Sequence, residues 1–513
     1  MISQILTACV IGLDVYQILV EVDINNSLPA VSIVGLPDMS ITEARERVRS
    51  AIKNSGYSFP NKKIVVNLAP ADIKKIGSYY DLPIAVGILT KINVIENPDY
   101  KDTAFIGELS LDGSLRAVTG VLPIAAGLKE QGIKTLIVPF DNAKEAAIVK
   151  GLNVIGAKTL TEIVNNFNTS APEHKKLEIT TVNVNEYMQK KTEQDGYFDF
   201  KDVKGQLKAK HAMEIAAAGA HNLLMSGPPG SGKTLLAKCF SSILPPLTFE
   251  ESIELTKIYS ISGLVNPNRP LITFRPFRSV HHTASAIGII GGGTNPKPGE
   301  ITLAHRGVLF LDEFVEFPRS VLEVLRQPLE DGKIVIARAK NRLEFPSDFI
   351  LLGAMNPCPC GYLGDSEKKC TCSEFQIKQY RSKLSGPLLD RIDIIIDVPR
   401  LKLDELMNNT TIPAETSEQI RERVVKARNI QLERYKGLGI YTNSELTPKL
   451  IKKYCILDEA SESILKEAVK KFNLSARAYD RLLKLSRTIA DLAESENIQP
   501  SHVAQAIQYR SNS

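Results

Sequence analysis

At 513 residues the chain exceeds what one hydrophobic core organises, so roughly three domains are expected. Apolar residues make up 43 % and charged residues 24 %, which excludes a disordered or fibrous chain. A formal charge of +5 excludes a strongly basic scaffold, so any nucleic-acid surface has to be local.

Residues 1–20 carry no Lys or Arg and include Asp14, so they read as strands rather than as a signal peptide. No run of about 18 apolar residues occurs, and no membrane span is expected. Seven cysteines without a secretory signal imply reduced thiols in the cytoplasm, with metal binding as the special case.

Residues 1–165 alternate strand and helix signals, an α/β pattern. Strands are expected over 16–24, 30–35, 63–68 and 136–139, an amphipathic helix over 41–55, and a buried helix or strand over 82–89. Two segments, Tyr79 to Val86 and Gly107 to Gly113 running on to Gly132 to Pro139, resemble the proteolytic domain of Lon. The resemblance implies a Lon-protease-like fold of the ribosomal protein S5 domain 2 type. Lon activates a serine with a lysine. Laid on that pattern, the serine position falls on Ile84 and the lysine position on Leu122. The resemblance therefore implies the fold and argues against peptidase activity.

Residues 166–198 are polar and without sustained periodicity, and read as a linker. Ala209 to Gly219 then reads as a helix and His221 to Ser226 as a short buried strand. Next comes Gly227-Pro228-Pro229-Gly230-Ser231-Gly232-Lys233-Thr234, the phosphate-loop spacing. Its glycines turn backbone N–H groups toward phosphate oxygens. Lys233 reaches the β- and γ-phosphates, and the Thr234 hydroxyl takes a position on Mg²⁺. The helix opening at Leu235 faces the same phosphates.

About 70 residues follow before the next motif, including His281-His282 and a Gly- and Lys-containing stretch from Gly291 to Glu300. Adjacent histidines point apart and no third ligand is spaced to help, so a mobile pore or substrate loop is expected rather than a metal site. Val308 to Leu311 reads as a strand ending in Asp312 and Glu313, the Walker B pattern. Asp312 would hold hydrated Mg²⁺, and Glu313 would polarise the attacking water. A helix over 320–329 and a hairpin follow, its tip carrying Arg338, Lys340 and Arg342. These cations could grip a DNA strand's phosphates or simply form a solvated turn.

Phe349 to Met355 reads as a buried strand ending at Asn356, placed to orient water and sense the γ-phosphate. Cys358, Cys360, Cys370 and Cys372 fall within fifteen residues, which leaves a structural Zn²⁺ site and a reduced loop both open. Arg391 follows a helix and precedes the strand Ile394 to Val398. It could reach a neighbouring subunit's nucleotide or pair locally with Asp390 or Asp393. Residues 415–513 read as helical, with Arg477 opening a helix that faces the phosphates.

Together, Gly227 to Thr234, Val308 to Glu313, Asn356, Gly386 to Asp393 and Leu474 to Arg477 resemble the AAA+ branch shared by magnesium-chelatase motor subunits and MCM helicases. With the Lon-like front, the chain is similar to the YifB/ComM family of magnesium-chelatase-like ATPases. The resemblance implies a P-loop α/β core over 199–400 and a helical C-terminal lid over 401–513. It also implies ATP and Mg²⁺ as cofactors and a cytoplasmic, probable-hexamer class of motor that moves DNA branches during natural transformation. Two rivals stand beside it. A magnesium-chelatase subunit would have no place for the Lon-like domain. A ring that remodels protein partners would use that domain for docking.

Overall fold

A computed structural model describes residues 2–96, 100–169, 174–189, 198–293, 296–337, 342–401, 415–472 and 474–510. The chain divides into two compact units. One comprises Met1–Lys190 with Phe249–Thr273, and the other Lys191–Thr248 with Phe274–Ser513.

The first unit is built on a seven-stranded mixed sheet. Its order is Ala30–Val34, Lys63–Ala69, Asp14–Asn25, Ser3–Ile11, Thr103–Phe105, Thr135–Pro139 and Asn153–Ala157. Period-2 alternation puts Ile18, Val20 and Val22 of the long second strand on the buried face. The helix Met39–Asn54 starts where the Asp38 side chain accepts the Ile41 N–H at 3.0 Å. It turns Ile41, Ala44, Val48, Ala51 and Ile52 inward at helical spacing. Residues 82–89 fall in a helix, Asp81–Lys91, whose apolar residues are buried almost all round. Its Asp81 is fully buried and grips Arg47 through both carboxylate oxygens, at 2.8 and 3.0 Å.

Ile84 and Leu122 are both buried, and the Leu122 N–H donates to the buried Glu145 carboxylate at 3.0 Å. Leu122 packs with Ile148 and Leu271. Residues 249–273 thus belong to this unit although they lie between the phosphate loop and Asp312 in sequence. Their helix, Phe249–Ile261, is held by a Ser260 hydroxyl that donates to the buried Glu145 carboxylate at 2.5 Å and by the Gly120 N–H on Ser260 O at 3.0 Å. The core expected over 199–400 is interrupted by this excursion, and the region expected as a linker contains a short helix, Val184–Gln189, within the first unit.

The second unit carries a five-stranded sheet in the order Phe277–Val280, Val308–Leu311, Ile350–Met355, Leu223–Ser226, Ile394–Asp397. Every neighbouring pair is parallel. The three central strands are largely apolar runs, as burial on both faces requires. Helices Ser417–Arg434, Glu459–Phe472, Ala476–Leu492 and Pro500–Gln508 form the C-terminal part. Buried Asp491 ties the first of these to the third, accepting from Arg434 at 2.9 Å, Asn443 at 2.8 Å and Arg487 at 3.0 Å. The helix expected over 320–329 is broken at Leu325 into Arg319–Val324 and Arg326–Asp331. No helix among the described residues is long and apolar enough to cross a membrane.

Candidate active site

An all-parallel sheet gathers the carboxyl ends of its strands on one edge, where α/β folds bind ligands. Here that edge collects the phosphate loop after Ser226, His281 and His282 after Val280, Asp312 and Glu313 after Leu311, and Asn356 after Met355. The Gly227 N–H donates to Met355 O at 3.2 Å, which hooks the loop to the neighbouring strand. A Cβ at Gly227 would lie 2.2 Å from Val398 O, so only glycine fits between these strand ends.

The phosphate loop is folded around its own lysine. Lys233 Nζ donates to Gly227 O at 2.7 Å and to Pro228 O at 2.9 Å, with Ser231 Oγ at 3.5 Å. Burial lowers the pKa of this ammonium, and Asp312 partly opposes the shift. The Thr234 hydroxyl donates to Asp312 Oδ2 at 2.8 Å. The two expected Mg²⁺ ligands therefore already face each other across the site. Glu313 sits one residue on in the left-handed region, φ 52°, with its N–H on Asp312 Oδ1 at 2.9 Å. His282 Nδ1 lies 3.0 Å from Glu313 Oε2, and the two histidine rings stack at 4.1 Å. His281 Nδ1 lies 2.9 Å from Thr283 Oγ1, and His282, not His281, thus touches the candidate base. Nothing in the local sequence pattern signals this contact.

Arg391 and Arg477 lie elsewhere. Asn222 immediately precedes the strand Leu223–Ser226, and its side-chain amide donates to Arg391 O at 3.0 Å. Four strand residues at about 3.3 Å each put that edge roughly 13 Å from the phosphate loop. Arg391 is buried, 6 % exposed, and donates to Pro387 O at 2.7 Å and to the Glu330 carboxylate. The other oxygen of Glu330 accepts from Arg477 at 3.2 Å. Arg477 opens the helix Ala476–Leu492 as expected, capped by Ser475, but it faces Glu330 rather than the phosphates of its own loop. The local alternatives for Arg391 are not used: Asp390 pairs with Arg510 at 3.5 Å, and Asp393 pairs with Arg481.

Several arginines crowd this edge. Burial, then Arg477, Arg326 and Arg481, lower the Arg391 pKa, and its Nε–H is buried with no partner among the described residues. Burial pushes the Asp393 carboxyl up, but Arg481 and His221 outweigh it and hold it well below the usual range. Arg391, Arg477, Arg481 and Lys484 line an open cleft of about 420 Å³ that also holds the carboxylates of Glu330, Asp348, Asp393, Glu445 and Asp480.

The four cysteines of the 358–372 loop converge so that their sulfurs all lie within 4.8 Å of one another. Arg342 begins the second strand of the hairpin Lys333–Ala337 with Arg342–Pro346 and lies 3.3 Å from Glu344. Arg338 and Lys340 lie outside the described residues.

Family models of magnesium chelatase match most of the chain. That of magnesium chelatase, subunit ChlI, covers residues 199–406, that of subunit ChlI of Mg-chelatase 20–142, and that of the ChlI C-terminal part 414–510. The chain is 44 % identical over 502 residues to competence protein ComM of Haemophilus influenzae, covering 97 % of this chain and 95 % of that protein. It is 40 % identical over 506 residues to the uncharacterized protein YifB of Salmonella typhimurium, covering 98 % and 96 %. Lon protease 2 of Bacillus subtilis is 29 % identical over 134 residues, 26 % of this chain and 23 % of that protease.

Proposed function

The chain belongs to the magnesium-chelatase-like family of ComM and YifB, and from that membership we propose an ATP-hydrolysing ring motor that acts on DNA as a branch-migration helicase. One observation carries the ring: the phosphate loop and the Arg391–Glu330–Arg477 cluster occupy opposite edges of one parallel sheet. A single subunit cannot bring them together. Head-to-tail packing of copies can, because each interface then joins one subunit's loop to the next subunit's arginines, and such contacts form a ring when the rotation between copies closes. A hexamer is the ring size the family suggests.

Within one such interface each side chain has a defined task. Lys233 exchanges its loop carbonyls for β- and γ-phosphate oxygens. Thr234 and Asp312 would hold Mg²⁺, which would supply positive charge to offset that of the phosphates. Glu313 polarises the attacking water and Asn356 orients it. Arg391 and Arg477 of the neighbour neutralise charge on the transferring group, a contribution worth about 10³–10⁵ in rate. In the first unit, apolar packing at Ile84 and Leu122 supports a scaffold without peptidase chemistry.

The DNA assignment rests on the likeness to a competence protein and on exposed cations at two hairpins, Lys297 and Arg342. Contacts of this kind grip phosphates without reading bases and weaken steeply with salt. ATPase assays with branched, duplex and single-stranded DNA test the reading. Branched DNA should stimulate turnover most, and salt should remove the stimulation. Turnover indifferent to every DNA at low salt would exclude the helicase and favour a remodeller of protein partners.

A further inference from the structure

The loop between the strand Ile350–Met355 and the helix Glu374–Arg381 is closed by its four thiols. Cys358 Sγ lies 3.4 Å from Cys360 Sγ and 3.6 Å from Cys370 Sγ, and Cys360 and Cys370 are 3.5 Å apart. A tetrahedron of thiolates at 2.3 Å from Zn²⁺ has edges of about 3.8 Å. The observed cluster has that size, and no pair is joined as a disulfide. Two backbone N–H groups already point at sulfur. Cys360 N donates to Cys372 Sγ and Cys372 N to Cys370 Sγ, both at 3.4 Å. Such bonds orient thiolate ligands and offset their charge. Cys358 is fully buried and the other three are half-buried, which limits solvent access. Four soft thiolates in a tetrahedron suit Zn²⁺.

The loop also touches the nucleotide machinery. Gly361, one residue after Cys360, has φ +84°. A Cβ placed there would lie 2.8 Å from Pro229 Cδ and 3.8 Å from Asn356 Cγ. The thiol loop thus packs closely against the phosphate loop beside the candidate sensor asparagine. Farther along, Asp365 accepts the Glu367 and Lys368 N–H groups at 2.8 and 3.0 Å, and Arg400 binds Glu367 at 3.0 Å. These contacts fold the span between the two Cys pairs but do not close its ends. Closure is left to the thiols.

We propose that Cys358, Cys360, Cys370 and Cys372 bind one Zn²⁺, and that the metal-closed loop braces the phosphate loop through Gly361 against Pro229. The brace rests on the nucleotide-site reading above; the metal site does not. Full-length protein purified without added metal should contain about one equivalent of zinc. Cobalt-reconstituted protein should show thiolate-to-cobalt charge transfer and tetrahedral d–d absorption. Gly361→Ala should keep the zinc and lose about tenfold in ATP affinity, because the added Cβ displaces Pro229. The double variant Cys370→Ser/Cys372→Ser should lose the zinc and at least as much ATP affinity. Since that variant could unfold, chelator-stripped wild type, checked by circular dichroism, gives the same comparison with the native chain. Protein free of zinc, or loaded with iron instead, would overturn the metal assignment. Wild-type ATP affinity in both Gly361→Ala and stripped protein would overturn the brace. Zinc-loaded wild type that binds no nucleotide would overturn the motor reading and the brace together while upholding the metal site.

Discussion

His282 Nδ1 and Glu313 Oε2 are 3.0 Å apart, so the residue proposed to polarise water is held by a side chain from the adjacent strand end. The same loop continues from His282 into the hairpin that carries Lys297. A positioned base is worth about 10²–10⁴ in rate, and part of that depends on its support. His282→Ala is expected to lower kcat about tenfold with ATP affinity unchanged, and His282→Gln, which can still donate, to recover part of the loss. Steady-state kinetics with a direct nucleotide-binding titration separate the two effects. A change in affinity alone would mean that His282 supports the loop and not Glu313.

Lys233 and Glu313 should fail in different ways. Lys233→Ala removes the charge that meets the β- and γ-phosphates and is expected to abolish tight nucleotide binding. Glu313→Gln keeps the shape of the site and should bind ATP normally while slowing hydrolysis about 100-fold or more. Equilibrium binding and single-turnover hydrolysis measure these separately. Wild-type turnover in Glu313→Gln would show that another group activates the water.

The first unit should show no peptidase activity with or without ATP. Ile84 and Leu122 are buried and supply neither nucleophile nor base. Introducing serine and lysine there is expected to destabilise the unit rather than create a protease, because it would place polar groups at fully buried, close-packed positions at about 1–3 kcal/mol each. Thermal melting of Ile84→Ser and Leu122→Lys checks the direction. ATP-dependent peptide cleavage by wild type, lost on changes within residues 1–165, would contradict it.

The parts of the site that were legible in the sequence are those coded by spacing along the chain. Gly227 to Thr234 follows a buried strand, and Asp312 and Asn356 end buried strands, so the gathered edge of the sheet follows from local patterns. What the sequence hid depends on side chains that meet across long separations. Glu330 joins Arg391 to Arg477 from 61 and 147 residues away. Arg477 reads as the start of a helix, but the direction that helix faces is fixed by lid packing, including His221 on Thr488 at 2.7 Å. The excursion of 249–273 into the first unit is equally silent, since its apolar residues pattern like any core helix and its anchor, Ser260 on Glu145, spans 115 residues. The approach of Gly361 to Pro229 is visible only once the thiol loop is folded.

Subunit mixing shows whether Arg391 and Arg477 complete a neighbour's nucleotide site. Arg391→Ala, Arg477→Ala and Lys233→Ala proteins should each be nearly inactive alone. Mixing Arg391→Ala with Lys233→Ala should restore part of the ATPase, because some interfaces then pair intact arginines with an intact phosphate loop. Mixing Arg477→Ala with Lys233→Ala should do the same. Mixing Arg391→Ala with Arg477→Ala should restore none, because every interface lacks one of two groups supplied from the same side. Recovery in that third mixture would place Arg477 in its own subunit's site. Absence of recovery in the first two, or full activity of Arg391→Ala alone, would contradict catalysis across the interface.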